Sequence, residues 1–348
     1  MRKLIPLFTA VLAIGSSAAL SGEPPTAEEL LTAYQKSVDH FTRARFQCVS
    51  KHPEQLVGDD KSLAHTNERS VVRDGTHWKV GKDSRFTIVE NGTKREGGDY
   101  REMVVGGQLL EVIKNLDGTV AVTAWLDPTR VKQLPWRALG GAESVFGRFE
   151  GDADKPLWEV MRETSTLELL PETQEINGAK TYALESRGKF GEHTVWIDPD
   201  RGGLPRRIEI RKNLGDLYSE IQLGARVGAV DEAPRKPGSI PRAAPPRQPP
   251  DIRAFSLRVD DIQIEKRDGA FVMTAWKTEE KVTFGDGRPG DRREEHAVGA
   301  VDFKPETWPK DALRLTIEIP DKTRVSVRDG LDGTNYEWIG GEVRVRAR

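Results

Sequence analysis

The sequence contains very little cysteine. Cys48 is the only cysteine among 348 residues, so the chain cannot form an internal disulfide bond. It also cannot build a metal site from clustered cysteine thiolates. We therefore expect the core to stabilise the fold, with Cys48 as a small buried apolar group within it. A reactive thiol is the alternative at this position.

The chain also lacks an excess of charge of either sign. Charged residues make up 31% of the sequence, and the formal net charge is −2. No global basic field is present that would hold nucleic acid or an anionic membrane. We predict that the protein has no nucleic-acid partner.

Apart from one stretch near the N-terminus, the sequence lacks long apolar runs. Two basic residues precede an apolar run at residues 4–14, and small residues follow it. This order is typical of a secretory signal, and the run is shorter than the roughly 20 residues needed to span a membrane. We predict a signal peptide at residues 1–21, cleaved near Ala19 or Ser21. The mature protein is expected to be soluble, periplasmic or secreted, with no transmembrane segment.

One helix is clearly marked after this signal. Thr26 and Glu29 have the spacing of a capping box, and apolar residues then recur at steps of three and four. The pattern predicts an amphipathic helix over residues 27–42 whose apolar side packs on a sheet. A lipid-surface helix is the alternative, but the polar face lacks the basic residues that it would need. A second, short helix is predicted at residues 156–161.

Most of the remaining chain has the pattern of short strands joined by tight turns. Strands are expected to continue through residues 217–227 and to include residues 313–319. Because no alternation of strands and helices occurs, we predict a mainly β (α+β) fold with an antiparallel sheet. The turns are marked by dipeptides that favour hairpins, namely Asp74-Gly75, Asn91-Gly92, Asp117-Gly118 and Asn177-Gly178.

Residues 231–251 differ from the rest of the chain. They contain seven prolines and no aromatic residue, a composition typical of an extended linker or an inserted loop. The segment divides the mature chain into residues 22–230, with the helix and a sheet, and residues 252–348. We expect the C-terminal strands to complete the same sheet.

The search for catalytic motifs finds none in a suitable context. Residues 285–290 match G-x-G-x-x-G, but no helix pattern follows, so a hairpin loop is predicted. Residues 293–296 (REEH) lack the spacing of a zinc motif and are interpreted as an exposed strand edge. Residues 198–202 are interpreted as a turn rather than a calcium loop. We predict no enzyme activity, and no catalytic, cofactor-binding or metal-binding residue.

Tryptophan is the more informative residue type. The chain has eight tryptophans, mostly at predicted strand positions. They either fill an ordinary core or line an apolar cavity between a curved sheet and the helices. The candidates for the lining of such a cavity are Leu31, Tyr34, Trp78, Trp125, Trp158 and Trp196.

Two segments resemble those of a known family. Residues 195–209 (VWIDPDRGGLPRRIE) resemble the W-x-D-P…G-x-P-x-x-I-E hairpin of LolA-like proteins, the outer-membrane lipoprotein carrier superfamily. Residues 303–305 (FKP) and 313–325 resemble the closing part of that family. The resemblance implies an unclosed antiparallel β-barrel, or curved sheet, wrapped round an N-terminal helix and short helices.

The same resemblance implies an apolar cavity that takes lipid or the acyl chains of lipoproteins. We therefore expect a non-enzymatic binding or carrier protein with a hydrophobic ligand and no cofactor. The alternative is a structural or regulatory envelope protein that contacts protein partners and carries no lipid. A hydrolase with an unrecognised site is a third hypothesis, and a titratable pair with strongly shifted pKa values in a cleft would favour it.

Overall fold

The computed structural model describes most of the chain. The described residues are 24–56, 61–106, 108–127, 139, 141–152, 155–219, 221–224, 252–330 and 334–346. The predicted signal peptide (1–21) and the proline-rich segment (231–251) lie outside them.

Sixteen strands form one curved, unclosed sheet, accompanied by an N-terminal helix and short helical turns. The predicted mainly β fold is confirmed. The helices with described bounds are α1 (Ala27–Asp39) and α2 (Leu157–Arg162). The strands are β1 (Arg43–Leu56), β2 (Lys61–Asp74), β3 (His77–Glu90), β4 (Thr93–Val105), β5 (Leu109–Asn115), β6 (Val120–Trp125), β7 (Thr166–Ile176), β8 (Ala179–Gly188), β9 (Gly191–Asp198), β10 (Leu204–Lys212), β11 (Leu217–Tyr218), β12 (Ile221–Gln222), β13 (Ile252–Arg267), β14 (Ala270–Phe284), β15 (Pro289–Asp302), β16 (Arg324–Val327), β17 (Tyr336–Ile339) and β18 (Glu342–Val345).

The strand order places β13, β14 and β15, which follow the proline-rich segment, in the middle of the sheet, and β16, β17 and β18 at one edge. The order is β18-β17-β16-β6-β5-β4-β3-β2-β1-β15-β14-β13-β10-β9-β8-β7. β13 pairs with β10 and β15 pairs with β1, both antiparallel. Strands from both sides of residues 231–251 therefore belong to one sheet. Residues 285–288 form the turn between β14 and β15, which confirms the predicted hairpin loop.

The predicted strand at residues 217–227 is wrong in its extent. The structure has only the two-residue strands β11 and β12 there, and they form a separate small ribbon. The position next to β10 is instead occupied by β13, which pairs with it over residues 255–259. Residues 225–227 lie outside the described residues.

Helix α1 covers part of the concave, inner face of the sheet. Its capping box forms as predicted, with the Thr26 side chain accepting from the Glu29 amide and Glu29 bonded back to the Thr26 amide. The helix packs on the β9–β10 hairpin, where the Ser37 hydroxyl donates to the carbonyl oxygen of Gly202 at 2.5 Å. The buried side of the helix consists of Leu30, Leu31, Tyr34, Ser37 and Val38.

The inner face changes from apolar to polar along β1 to β4. Because side chains on the same face of neighbouring strands form rows, the register defines three successive rows. They are Phe46, Val71, Val80 and Met103; then Cys48, Arg69, Lys82 and Arg101; then Ser50, Asn67, Ser84 and Asp99. Phe46, Val71 and Val80 of the apolar row belong to the core beneath α1, and the polar rows extend away from it. Cys48 is buried, as predicted, and burial raises the pKa of its thiol to about 12.

A second, smaller core lies at the β5–β6 end of the sheet. It contains Val112 and Val122 together with Ile317 and Ile319. Residues 313–319 do not form the predicted strand. Their backbone is held instead by Glu102, whose buried carboxylate accepts from the amides of Thr316 (2.6 Å) and Ile317 (2.9 Å).

Glu102 is therefore the main polar anchor of this second core. Its carboxylate also accepts from the Tyr100 hydroxyl at 3.0 Å and lies 3.1 Å from Nζ of Lys79. Burial alone would raise the pKa of Glu102, but the hydrogen bonds from Thr316 and from the Ile317 amide lower it. The carboxylate is thus kept ionised in a place that water does not reach.

We predict that Glu102→Gln destabilises the protein by about 2–4 kcal/mol, because an amide nitrogen in place of Oε1 cannot accept from the hydroxyls of Tyr100 and Thr316 and leaves Lys79 without a counter-charge. Chemical denaturation monitored by tryptophan fluorescence measures the change. The control is Glu111→Gln on neighbouring β5, which should change the free energy of unfolding by less than about 0.5 kcal/mol. Equal stability of Glu102→Gln and the wild type would show that residues 313–319 are not held by this carboxylate.

Candidate functional site

Four of the six predicted cavity residues lie together in the main core. Leu31 and Tyr34 on α1, Trp78 on β3 and Trp158 on α2 are each at most 5% exposed. The rings of Tyr34 and Trp158 meet edge to face, with centroids 5.3 Å apart. In this conformation the apolar interior is filled by the protein's own side chains.

The other two predicted residues lie outside this cluster. Trp125 lies on the same face of the sheet as Trp78, because Trp78, Val105, Leu109 and Trp125 are successive cross-strand partners on β3 to β6. Trp125 is three strands away from Trp78 and is only half-buried. Trp196 points to the opposite face of β9, where it lies 5.4 Å from the guanidinium of Arg207. The structure therefore brings four of the six residues together.

The main core is closed by a short segment that we call the cover segment, residues 141–152. It contributes the buried side chains of Val145, Phe146 and Phe149. The Phe146 ring lies 5.3 Å from that of Trp78. At Gly141 the backbone has φ +86° and passes so close to His296 that a Cβ would collide with it, which only glycine tolerates.

A polar cluster lies beneath the start of the cover segment, on the inner face of β1, β2 and β15. Ser50 Oγ is 2.9 Å from Nδ1 of His296 and accepts from Nη1 of Arg69 at 2.8 Å. His296 Nε2 lies 3.4 Å from Glu294 Oε2. The prediction that residues 293–296 form an exposed strand edge is wrong: β15 pairs on both sides, and Glu294 and His296 are buried.

Ser50, His296 and Glu294 resemble a hydrolase triad in composition but not in chemistry. Ser50 is fully buried, and its oxygen already accepts from a guanidinium group. Burial and the positive charge of Arg69 lower the pKa of His296 to about 3, so its imidazole is a very weak base at neutral pH. A general base is effective when its pKa lies near the working pH. The arrangement is suited to holding strands together.

Several carboxyl groups meet where the cover segment contacts β14 and β15. Nη1 of Arg292 lies 3.4 Å from Glu150 and 3.9 Å from Glu280, and Arg292 also pairs with Glu294. Burial raises the pKa of Glu280 to about 8 and that of Glu143 to about 7. Carboxyl groups with strongly raised pKa values are the feature that would favour the hydrolase hypothesis if they lined a cleft.

The space beside these carboxyl groups is small. The cavity lined by Glu143, Glu150, Glu280 and Glu294 has a volume of about 30 Å³, which holds a water molecule but no substrate. Two wider clefts, of about 320 and 700 Å³, are lined mainly by charged and polar side chains from the strands. They lack the predominantly apolar lining of a typical ligand pocket.

The other end of the cover segment is fixed by a buried ionic contact. Asp152 Oδ1 lies 2.7 Å from Nζ of Lys212 and 3.0 Å from Nε2 of His193, and all three side chains are fully buried. Burial opposes ionisation of Asp152, but the charges of His193 and Lys212 outweigh it and lower the pKa of Asp152. The segment is therefore anchored firmly at Asp152, on β9 and β10.

Two further properties concern metals and membranes. Within the part of the chain that the structure describes, no group of three or more His, Cys, Asp or Glu side chains is placed to hold a metal ion. No helix among the described residues is long and apolar enough to cross a membrane.

Comparison with known proteins finds similar chains among solved structures only. No family model matches the chain, and no curated protein is similar to it in sequence. The crystal structure of a DUF1329 family protein from Desulfovibrio piger covers 83% of this chain and 97% of its own, with 11% sequence identity and a TM-score of 0.35. At this level of similarity we transfer no function from it.

We predict that Asp152→Asn lowers the free energy of unfolding by about 3–5 kcal/mol, because it leaves the ammonium group of Lys212 buried without a counter-charge. In the wild type this stabilisation is complete above the pKa of an ordinary aspartate and is lost as the pH falls through the lower pKa of the folded state. Urea denaturation between pH 3 and pH 7 measures both effects. The exposed Asp291→Asn is the control, and a variant at Asp152 as stable as this control would contradict the role of Asp152.

Proposed function

We propose that the chain is an exported, non-enzymatic binding protein that takes an acyl chain or similar hydrophobic ligand between its curved sheet and the cover segment. This is the role that the resemblance to LolA-like carriers implies. The observation that carries the proposal is the way in which the apolar inner face is closed. A short segment and two helices cover it, rather than a second sheet.

The arrangement supports entry of a ligand into the interior. The cover segment contributes Val145, Phe146 and Phe149 to the main core, so its displacement would expose the apolar side chains beneath them. Transfer of an acyl chain from water to such a space gains roughly 0.8 kcal/mol for each methylene group. In the structure the side chain of Phe146 occupies the place that we assign to the ligand.

The filled interior also favours one alternative. If the cover segment never moves, the protein is an envelope scaffold or regulator that acts through protein contacts. Both functions place the protein in the periplasm or outside the cell. They differ in whether an apolar compound can compete with the protein's own side chains.

The proposal of a non-enzymatic role rests on the fact that a substrate could not reach the groups that resemble catalytic residues. Ser50, which contacts His296, is buried and its oxygen accepts from Arg69. The carboxyl groups beside the cover segment face a cavity the size of a water molecule. These groups are arranged to hold the cover segment against the sheet.

The experiment is a titration with a fluorescent fatty acid, followed by energy transfer from the tryptophans. We expect saturable binding that is displaced by unlabelled lipid. Phe146→Ala should tighten binding, because it opens a space beside Trp78 and Phe46 where Phe146 now packs and apolar compounds occupy such cavities.

The matched control is Phe86→Ala on β3, where the ring is 38% exposed and lies over Gly97. It should leave the affinity unchanged. Phe146→Ala is expected to cost about 3–5 kcal/mol of stability, so the folded fraction is checked by circular dichroism. Absence of saturable binding by both the wild type and the folded Phe146→Ala protein would reject the binding function and favour the scaffold.

A further inference from the structure

The contact between the cover segment and the sheet contains more carboxyl groups than cations. At neutral pH two nearby imidazoles bring no charge, because burial lowers the pKa of His52 to about 4 and that of His296 to about 3. Full ionisation of the carboxyl groups would therefore leave one uncompensated negative charge, four minus three, at a place where Glu280 and Glu294 are mostly buried and Glu150 is exposed. The carboxyl groups are Glu143, Glu150, Glu280 and Glu294, and the cations are Arg69, Lys82 and Arg292.

The geometry shows where protons would be held. Glu150, on the cover segment, and Glu280, on β14, both approach the same nitrogen of Arg292. One guanidinium nitrogen compensates two facing carboxylates poorly. Tyr218 adds a neutral donor, its hydroxyl lying 3.0 Å from Glu150.

Glu143 is the second carboxyl group that would hold a proton. Its Oε2 is buried and has no hydrogen-bond partner among the described residues. The residue belongs to the cover segment, and its charged neighbours are Arg69 on β2 and Glu150. An ionised carboxylate with an unsatisfied buried oxygen costs far more free energy than a protonated carboxyl in the same place.

We propose that the cover segment is a proton-linked latch, seated on the sheet while Glu143 and Glu280 are protonated and released when both ionise. Release would expose the inner face beneath Phe146. That consequence for ligand entry rests on the proposed binding function, whereas the latch itself does not.

The pKa values of these glutamates are shifted in the direction that the latch requires. Burial, reinforced by the charge of Glu150, raises the pKa of both Glu143 and Glu280, to about 7 and about 8 from an ordinary value of 4.5. Burial also raises the pKa of Glu294 despite its pairing with Arg292. A raised pKa means that the seated state is fully stabilised below about pH 4.5 and loses this stabilisation as the pH rises through 7 to 8.

Two other acidic groups near Glu143 and Glu150 do not titrate in this range. Burial raises the pKa of the Cys48 thiol to about 12 and also raises the pKa of the Tyr218 hydroxyl. The guanidinium groups of Arg69 and Arg292 remain charged. His193 also faces the segment, at Asp152, so the glutamate variants decide whether a change between pH 6 and pH 9 comes from Glu143 and Glu280.

The test is hydrogen–deuterium exchange of the full protein without ligand, at pH 6 and at pH 9. Protection factors of amides in residues 141–152 are corrected for the pH dependence of intrinsic exchange. We expect the wild-type protection to fall at least about tenfold between the two pH values, since each unit of pKa difference is worth a factor of ten. The strands β8 and β9 serve as the internal reference.

Glu280→Gln and Glu143→Gln imitate the protonated side chains and should each keep more protection at pH 9 than the wild type. Glu279→Gln, on the neighbouring outward-facing position of β14, is the control and should behave like the wild type. Equal wild-type protection at pH 6 and pH 9 would overturn the latch. A loss of protection at pH 9 that is the same in the wild type and in both variants would also overturn it.

A fatty-acid titration at both pH values separates the latch from the binding function. Binding that is at least about tenfold tighter at pH 9 in the wild type, and independent of pH in Glu280→Gln, supports a latch that controls ligand entry. Loss of protection at pH 9 without binding at either pH would reject the binding function and leave the latch standing.

Discussion

The apolar inner face of an open curved sheet must be kept from water, and in this protein only a few residues cover it. The division of the interior into an apolar and a polar part depends on this constraint. Helix α1 and the short α2 lie over the apolar rows of that face together with the cover segment. Beyond them the same strands carry Arg69, Ser50 and Glu294 inward. The polar rows are compatible with burial because they hydrogen-bond and pair with one another. The interior is therefore divided into an apolar part and a polar part, and the cover segment touches both.

Local signals in the sequence were sufficient for much of this fold. The capping box at Thr26 marks α1, and turn dipeptides such as Asn91-Gly92 mark the hairpins, because these features depend on neighbouring residues only. Residues 313–319 show the limit of such signals. Their alternating apolar residues are typical of a strand, yet their amides bind the carboxylate of Glu102, which is more than 200 positions away in the chain. Nothing in the local pattern indicates that partner.

The candidate site was only partly predictable for a similar reason. Aromatic residues at strand and helix positions indicated an apolar interior, and four of the six chosen residues lie there. The polar cluster was missed because residues 292–296 are polar at every position, so that no period of two distinguishes the inner from the outer face. The requirement for glycine at position 141 could not be predicted from the sequence either. It arises from the close approach of the Gly141 backbone to His296, which exists only in the folded chain.

The central claim is that the interior takes up an apolar ligand. It is tested most directly by organic extraction of the purified protein, with mass spectrometry of the extract. The account predicts a lipid or acyl compound in near-stoichiometric amount, and less of it in a variant whose cover segment cannot leave the sheet. An extract without lipid, from protein that also fails to take up added fatty acid, would contradict the account and identify the interior as a permanently filled core.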